Sequence, residues 1–205
     1  MTKDIAAILL AAGRSRRIGA FKPLLPFGQT TVIRSCLQNL QATGIENIVV
    51  VVGHRAGDVM QSLYDLHLRF ALNPNPESEM SASIACGMRG LPSKTKATLI
   101  ALTDQPAVSP EVIKAVLEQW TSGAKLVIPE FQGRGGHPVL VDLSFGAELL
   151  NLDPNLGLKS FFDAHREAVR RVPVNSPYIA RDMDTWDDYC ALHQEIFGTL
   201  PDMSH

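Results

Sequence analysis

A three-layer α/β fold with a doubly wound, mostly parallel sheet is the architecture predicted for this chain of 205 residues. Three observations carry the prediction: unbroken apolar runs at residues 5–10, 48–52 and 97–102, amphipathic stretches of helical spacing between them, and alternation of the two along most of the length. Apolar runs without polar alternation suit parallel strands covered on both faces. Strand followed by helix, several times over, builds an open sheet whose ligands bind at the carboxyl ends of its strands. At roughly 150 residues per domain the length predicts a single domain, residues 1–198, with a frayed tail at 199–205.

After the first strand, residues 31–41 place Val32, Ile33, Cys36, Leu37 and Leu40 on one helical face, and Gly44 follows as a stop. The second strand is residues 48–52. Ile84, Cys86 and Met88 read as one helix face, and residues 97–102 form the third strand. The helix at 110–120 has Ser109 as N-cap, Pro110 at its first position, and Val112, Ile113, Val116, Leu117 and Trp120 on its apolar side. Residues 130–142 are less regular, with Gly133, Gly135 and Gly136 ahead of a short strand at 139–141, and suit a loop or hairpin insertion. Helical segments near Phe145 and Lys159 lead to a last strand at 169–174 and a closing helix at 185–197. Thr185 and Asp188 have the spacing of a capping box at its start.

Hydrophobic residues at 45% and charged ones at 20% exclude disorder and a fibrous architecture. Nineteen Lys and Arg against 21 Asp and Glu leave a net charge of -2, which supplies no overall field for nucleic acid or an anionic membrane. Any basic site is local. The apolar run at residues 5–12 is too short to span a bilayer, and Arg14, Arg16 and Arg17 follow it, where a signal peptide has its charges in front; a cytoplasmic protein is expected. Cys36, Cys86 and Cys190 are widely spaced, form no CxxC pair, and read as buried, reduced thiols.

The chemistry concentrates in three places. The first strand runs into Leu10-Ala11-Ala12-Gly13-Arg14-Ser15-Arg16-Arg17-Ile18-Gly19-Ala20-Phe21-Lys22, a loop of small residues, one hydroxyl and four cations. Small residues let a ligand approach the backbone, and exposed amides with Arg and Lys suit the many oxygens of a triphosphate. Five residues separate Gly13 from Gly19 and Lys22 comes three later, so this is not a Walker A loop; the GxGxxG dinucleotide fingerprint is absent as well. A solvated basic loop is the plain alternative. The third strand ends in Thr103-Asp104-Gln105-Pro106, which puts a carboxylate at the sheet edge as a Mg²⁺ ligand or as a turn cap. In Arg181-Asp182-Met183-Asp184-Thr185, the two acids before the cap supply one candidate for a second metal ligand.

Together these elements resemble the MobA-like nucleotidyltransferase family, most closely its molybdenum cofactor cytidylyltransferase branch. The family signature L-A-A-G-x-S-x-R-[MF]-G-x-x-K-x-L-L-P is met by Leu10, Ala11, Ala12, Gly13, Ser15, Arg17, Gly19, Lys22, Leu24, Leu25 and Pro26, with Ile18 in the bulky apolar slot. D-Q-P appears as Asp104-Gln105-Pro106 and G-H-P-V as Gly136-His137-Pro138-Val139. D-x-D-T-P-E-D appears as residues 182–188, with Trp186 in place of proline. Asn73-Pro74 followed by Met80 and Ser83 is similar to N-P-x(n)-G-M-x-x-S, with Glu79 where glycine is usual.

The resemblance implies a Rossmann-like nucleotidyltransferase fold and Mg²⁺-dependent transfer of CMP from CTP to a phosphorylated acceptor such as molybdopterin, releasing pyrophosphate. It implies nucleotide binding by Leu10, Ala11, Ala12, Gly13, Ser15, Arg17, Lys22, Asn73, Ser83 and Asp104, with Arg17, Lys22 and Asp104 catalytic. Asp104 and Asp182 would hold the metal, and Gly136, His137 and Pro138 would face the acceptor, although His137 before a proline in a Gly-rich turn also reads as structural. Ala12 looks more like cytidylyl than guanylyl members, which carry a second glycine there. Expected partners are the nucleotide, the acceptor and, transiently, a molybdoenzyme, with no nucleic acid and no membrane. A guanylyl or other NTP transferase and a non-catalytic nucleotide-binding accessory or chaperone protein are the alternatives. A phosphate-monoester acceptor is already anionic near neutrality and needs no general base, so the absence of a nucleophilic triad is no obstacle.

Overall fold

The computed structural model describes residues 2–75 and 77–202. Its strands and helices follow the apolar pattern closely. Strand β1 (Ile5–Ala11) is buried along nearly its whole length and leads through a short hairpin, β2 (Pro26–Phe27) and β3 (Thr30–Thr31), into helix α1 (Val32–Gln41). Next come β4 (Asn47–Val52), α2 (Ala56–Ser62), β5 (Arg69–Leu72) and α3 (Met80–Arg89). Then follow β6 (Ala97–Leu102), α4 (Pro110–Thr121), β7 (Leu126–Phe131), β8 (Arg134–Gly135) and β9 (Val139–Asp142). The chain closes with α5 (Gly146–Leu150), α6 (Gly157–Ala164), β10 (Val169–Pro173) and α7 (Trp186–Phe197).

The main sheet has the order β10-β7-β9-β6-β1-β4-β5, with β8 paired to β7. β1 is parallel to both β4 and β6, β4 to β5, and β10 to β7, while β9 runs antiparallel to its neighbours β6 and β7. The sheet is therefore mixed but mostly parallel. Helices α1, α2 and α4 bury Ile33, Leu37, Val59, Val112 and Val116 on one face with Ile5, Ala7 and Leu9 of β1. On the opposite side, Ile84 of α3, Leu149 of α5 and Phe161 of α6 pack over Ile100 and Val139. Burial on both faces is why these strands read as continuous apolar runs. After β1 the chain crosses to β4 on one side and later to β6 on the other, so the loops following β1 and β6 diverge at the carboxyl edge. That divergence opens a crevice.

Besides the short β2–β3 hairpin, two strands of the main sheet lie outside the sequence expectation. β7 contains Pro129, a residue that argues against a strand because it cannot donate to the ladder. The pairing with β9 involves Leu126 and Val127 and has ended before Pro129, so the missing donor breaks no bond on that side. β5 is an edge strand of only four residues, with exposed Arg69 and Leu72, and its three-residue apolar run is too short to stand out as a strand. The hairpin expected within residues 130–142 joins β7 to β8 through Gln132 and Gly133, both at positive φ. Of the tail expected at 199–205, the last three residues lie outside the described residues, and the Thr199 carbonyl bonds the His193 imidazole at 2.6 Å. Among the described residues no helix is long and apolar enough to cross a membrane.

Candidate active site at the carboxyl edge of the sheet

The crevice is a cleft of about 460 Å³ between the β1 loop, residues 73–83 and the end of β6. Its rear is fixed by the strands: the Leu10 carbonyl accepts hydrogen bonds from the Thr103 backbone N–H and from Thr103 Oγ1 at 2.7 Å, tying the ends of β1 and β6 together. The β1 loop is anchored where it would otherwise swing free. Ile18 is 4% exposed and packs with Leu25, Phe27, Met183 and Tyr189 in a satellite core beneath α7. Tyr189 Oη donates to the Pro26 carbonyl at 2.6 Å, and the Lys22 backbone N–H donates to Ser15 Oγ at 3.1 Å. Cationic side chains are thus carried on a held backbone.

Leu10, Ala11, Ala12, Gly13, Ser15, Arg17, Lys22, Asn73, Ser83 and Asp104, singled out from sequence motifs, all line this cleft. Asn73 Nδ2 donates to Ser78 Oγ and Ser83 Oγ, each at 2.9 Å, and its Oδ1 accepts from the Asn75 backbone, so one amide orders the whole wall. A Cβ at Gly53 would lie 3.0 Å from the Ala12 methyl and carbonyl, so the glycine permits the close approach of the β4 and β1 ends.

The electrostatic centre is Lys22, only 8% exposed. Its Nζ lies 3.1 Å from Asp184 Oδ1 and 3.5 Å from Asp104 Oδ2, while Arg17 Nη2 is 2.8 Å from Asp184 Oδ2. Burial pushes the Asp104 carboxyl above the usual range, Lys22 opposes this, and the nearby Asp182 and Asp184 carboxylates add to the rise. Asp104 Oδ1 is buried with no hydrogen-bond partner. A carboxylate oxygen held dry and unpaired beside a second carboxylate suits a hard divalent cation. Among the described residues no group of three or more His, Cys, Asp or Glu could enclose a metal. Two carboxylates that leave coordination positions for phosphate oxygens match the habit of Mg²⁺.

The geometry sets two groups of expected residues apart from the cleft wall. Asp182 lies near Asp104, but its Oδ1 accepts from Gln105 Nε2 at 2.8 Å, whereas Asp184 lines the cleft. The reason is Met183, which is 1% exposed in the satellite core and whose N–H bonds the Asp104 carbonyl at 3.0 Å, so the two flanking acids serve different neighbours. Gly136, His137 and Pro138 are likewise not part of the cleft wall. The His137 N–H bonds the Ile179 carbonyl at 2.8 Å, Pro138 is buried, and burial holds the imidazole down at about 4, with Asp182 opposing the shift. Glu77, which pairs with Arg14 and with Arg16 at the cleft mouth, has no sequence signal; it lies about sixty residues away along the chain. Cys36 is buried against the Thr103 carbonyl and its thiol is pushed far up by desolvation, so it is no nucleophile.

A model of the MobA-like NTP transferase domain matches residues 7–169, which includes most of β1, all of β6 and the whole β1 loop. The chain belongs to this family. The chain is 28% identical over 190 residues to nicotine blue oxidoreductase of Paenarthrobacter nicotinovorans, covering 88% of this chain and 92% of that one. It is 25% identical over 139 residues to molybdenum cofactor cytidylyltransferase of Escherichia coli, covering 67% and 69%. The crystal structure of Rv0371c from Mycobacterium tuberculosis superposes with a TM-score of 0.85 at 25% identity, over 95% of this chain and all of the other. MobA-like proteins are nucleotidyltransferases, and the sheet and flanking helices described above are those of the Rossmann-like nucleotidyltransferase fold.

Proposed function

We propose that this cleft binds a nucleoside triphosphate with Mg²⁺ and that the protein transfers CMP from CTP to a phosphorylated acceptor such as molybdopterin, releasing pyrophosphate. One observation supports this reading above the others: Arg17 and Lys22 of a single anchored loop meet two carboxylates at the sheet's carboxyl edge, and one of these, Asp104, keeps an oxygen buried and without a hydrogen-bond partner. The similarity to molybdenum cofactor cytidylyltransferase supports the choice of substrates. Ala12 in the β1 loop, as in the cytidylyl members that the sequence resembles, supports CTP over GTP.

In this mechanism the backbone of residues 11–13 receives the base and sugar, with the Asn73–Ser83 wall opposite. Arg17 and Lys22 would hold the triphosphate, and Asp104 and Asp184 would hold the metal. Bound there, the metal supplies Lewis-acid stabilisation of the phosphate oxygens. An acceptor phosphate oxygen forms the new bond to the α-phosphorus as the bond to the β-phosphate oxygen breaks, and pyrophosphate departs. Arg17 and Lys22 stabilise charge on the leaving group, so catalysis is chiefly positioning and electrostatics.

A redox role is the second reading, favoured by the length over which the chain matches nicotine blue oxidoreductase. One assay separates the possibilities: CTP and GTP with Mg²⁺ and a molybdopterin-type acceptor, following pyrophosphate, with a parallel reading of reduced nicotinamide consumption. Pyrophosphate release with CTP above GTP is expected. A preference for GTP moves the assignment to guanylyl transfer, nucleotide binding without release to an accessory role, and nicotinamide oxidation alone to the redox reading.

A further inference from the structure

The cations of the β1 loop are already paired before any ligand arrives. Arg14 and Arg16 meet Glu77, Arg17 meets Asp184, and Lys22 meets both Asp184 and Asp104. Arg16 and Arg17 keep most of their side chains in water, but Lys22 does not. A buried ammonium persists only when paired, and two carboxylates at one sheet edge repel unless a cation stands between them. Each side satisfies the other.

From this arrangement we propose that Lys22 is a resident counter-ion at the metal position between Asp104 and Asp184, and that a divalent cation enters only as Lys22 transfers to the triphosphate. This rests on reading the cleft as a metal–nucleotide site. Lys22 Nζ, at 3.1 Å from Asp184 Oδ1 and 3.5 Å from Asp104 Oδ2, stands between the two carboxylates, and a divalent cation bridging them would face its charge at close range in a partly desolvated site. Little has to move for the exchange. The Lys22 backbone is pinned by Ser15 Oγ and by the 3-10 turn Lys22–Leu24, whereas the four-carbon stem is flexible. Asp184 is released by Arg17 in the same step, because the triphosphate draws both cations to itself.

The exchange makes metal and nucleotide mutually dependent, as any coupling between two ligands must be. Metal alone must displace Lys22 with no phosphate to receive it; nucleotide alone must break the Lys22 pair and leave two carboxylates facing each other. Lys22→Met removes the resident cation, so the metal then finds Asp104 without its ion pair and Asp184 held only by the exposed Arg17. Lys22→Gln does the same with a polar end.

The test is Mn²⁺ binding to the full chain without nucleotide, read by paramagnetic resonance of free Mn²⁺ at constant ionic strength, with circular dichroism to verify folding. Both variants are expected to bind Mn²⁺ about tenfold more tightly than wild type, a factor within the usual range of coupling between sites. CTP is expected to enhance Mn²⁺ affinity less in the variants than in wild type. Equal or weaker Mn²⁺ binding by a folded variant overturns the proposal. The unaltered chain gives a second reading if neither variant folds: the Lys22 Cε resonance should shift whenever Mg²⁺ occupies the site, and full Mg²⁺ occupancy with that resonance unmoved overturns it too. CTP-dependent Mn²⁺ binding by wild type with no gain in the variants sinks only the exchange. No Mn²⁺ binding by any form, even with CTP, sinks the metal–nucleotide reading as well.

Discussion

Ser15 Oγ accepts a hydrogen bond from the Lys22 backbone N–H at 3.1 Å, closing the cationic loop upon itself. Ser15 stands at φ 55, the left-handed region, to make that bond. Ser15→Ala keeps the strained backbone and leaves the half-buried N–H without its acceptor. Thermal denaturation should show a loss of about 1 kcal/mol, the usual worth of one such bond. Titration calorimetry should show triphosphate binding weakened more than monophosphate binding; equal losses would mean that the whole cleft has collapsed.

Asp184 and Asp182 should separate cleanly in a Mg²⁺ titration of pyrophosphate release. Asp184→Asn removes a charge that faces Lys22, Arg17 and Asp104, and turnover should fall by on the order of a hundredfold or more. Asp182→Asn retains an oxygen able to accept from Gln105 and should stay close to wild type. Normal turnover in Asp184→Asn with none in Asp182→Asn would return Asp182 to the metal.

His137 should make the fold acid-sensitive. Burial lowers its pKa from 6.5 to about 4, so the native state favours the neutral ring while the unfolded chain takes up a proton first. The stabilisation is fully present above about 6.5 and is lost as the pH falls toward 4, by at most about 3 kcal/mol. Melts between pH 7.5 and pH 4.5 should therefore fall less steeply for His137→Gln than for wild type. Parallel curves would assign the acid sensitivity to other groups.

Gly136 should tolerate no side chain. A Cβ there would sit 1.9 Å from the Ile179 carbonyl oxygen and 2.4 Å from its carbon, both backbone atoms of a fully buried residue. Gly136→Ala should cost roughly 2 kcal/mol or more in denaturant unfolding, since the turn Pro177–Ala180 must shift to admit it. A variant as stable as wild type would show that this turn moves freely.

Much of this protein is written in local pattern. β6 begins and ends where its apolar run does, α4 starts at Pro110 as its capping sequence requires, and Thr185 and Asp188 form the capping box that their spacing announces. A strand buried on both faces or a helix with one wet side imposes a periodicity that neighbouring residues alone reveal. The cleft residues were legible for a related reason, since most of them cluster in short motifs at strand ends, where the fold class already places ligands.

What local pattern leaves open is decided by contacts between distant segments. Pro129 and the shortness of β5 obscure strands that exist because their neighbours pair with them. Asp182 and Asp184 are equivalent by spacing, and only the burial of Met183 between them sends one to Gln105 and the other to Lys22, whose partner lies 162 residues away. Glu77 reaches Arg14 and Arg16 in the same way, across the cleft mouth. Residue type and spacing declare which charges are present, but the energy of a charge depends on what stands within a few ångströms of it in a desolvated site, and that is settled by packing.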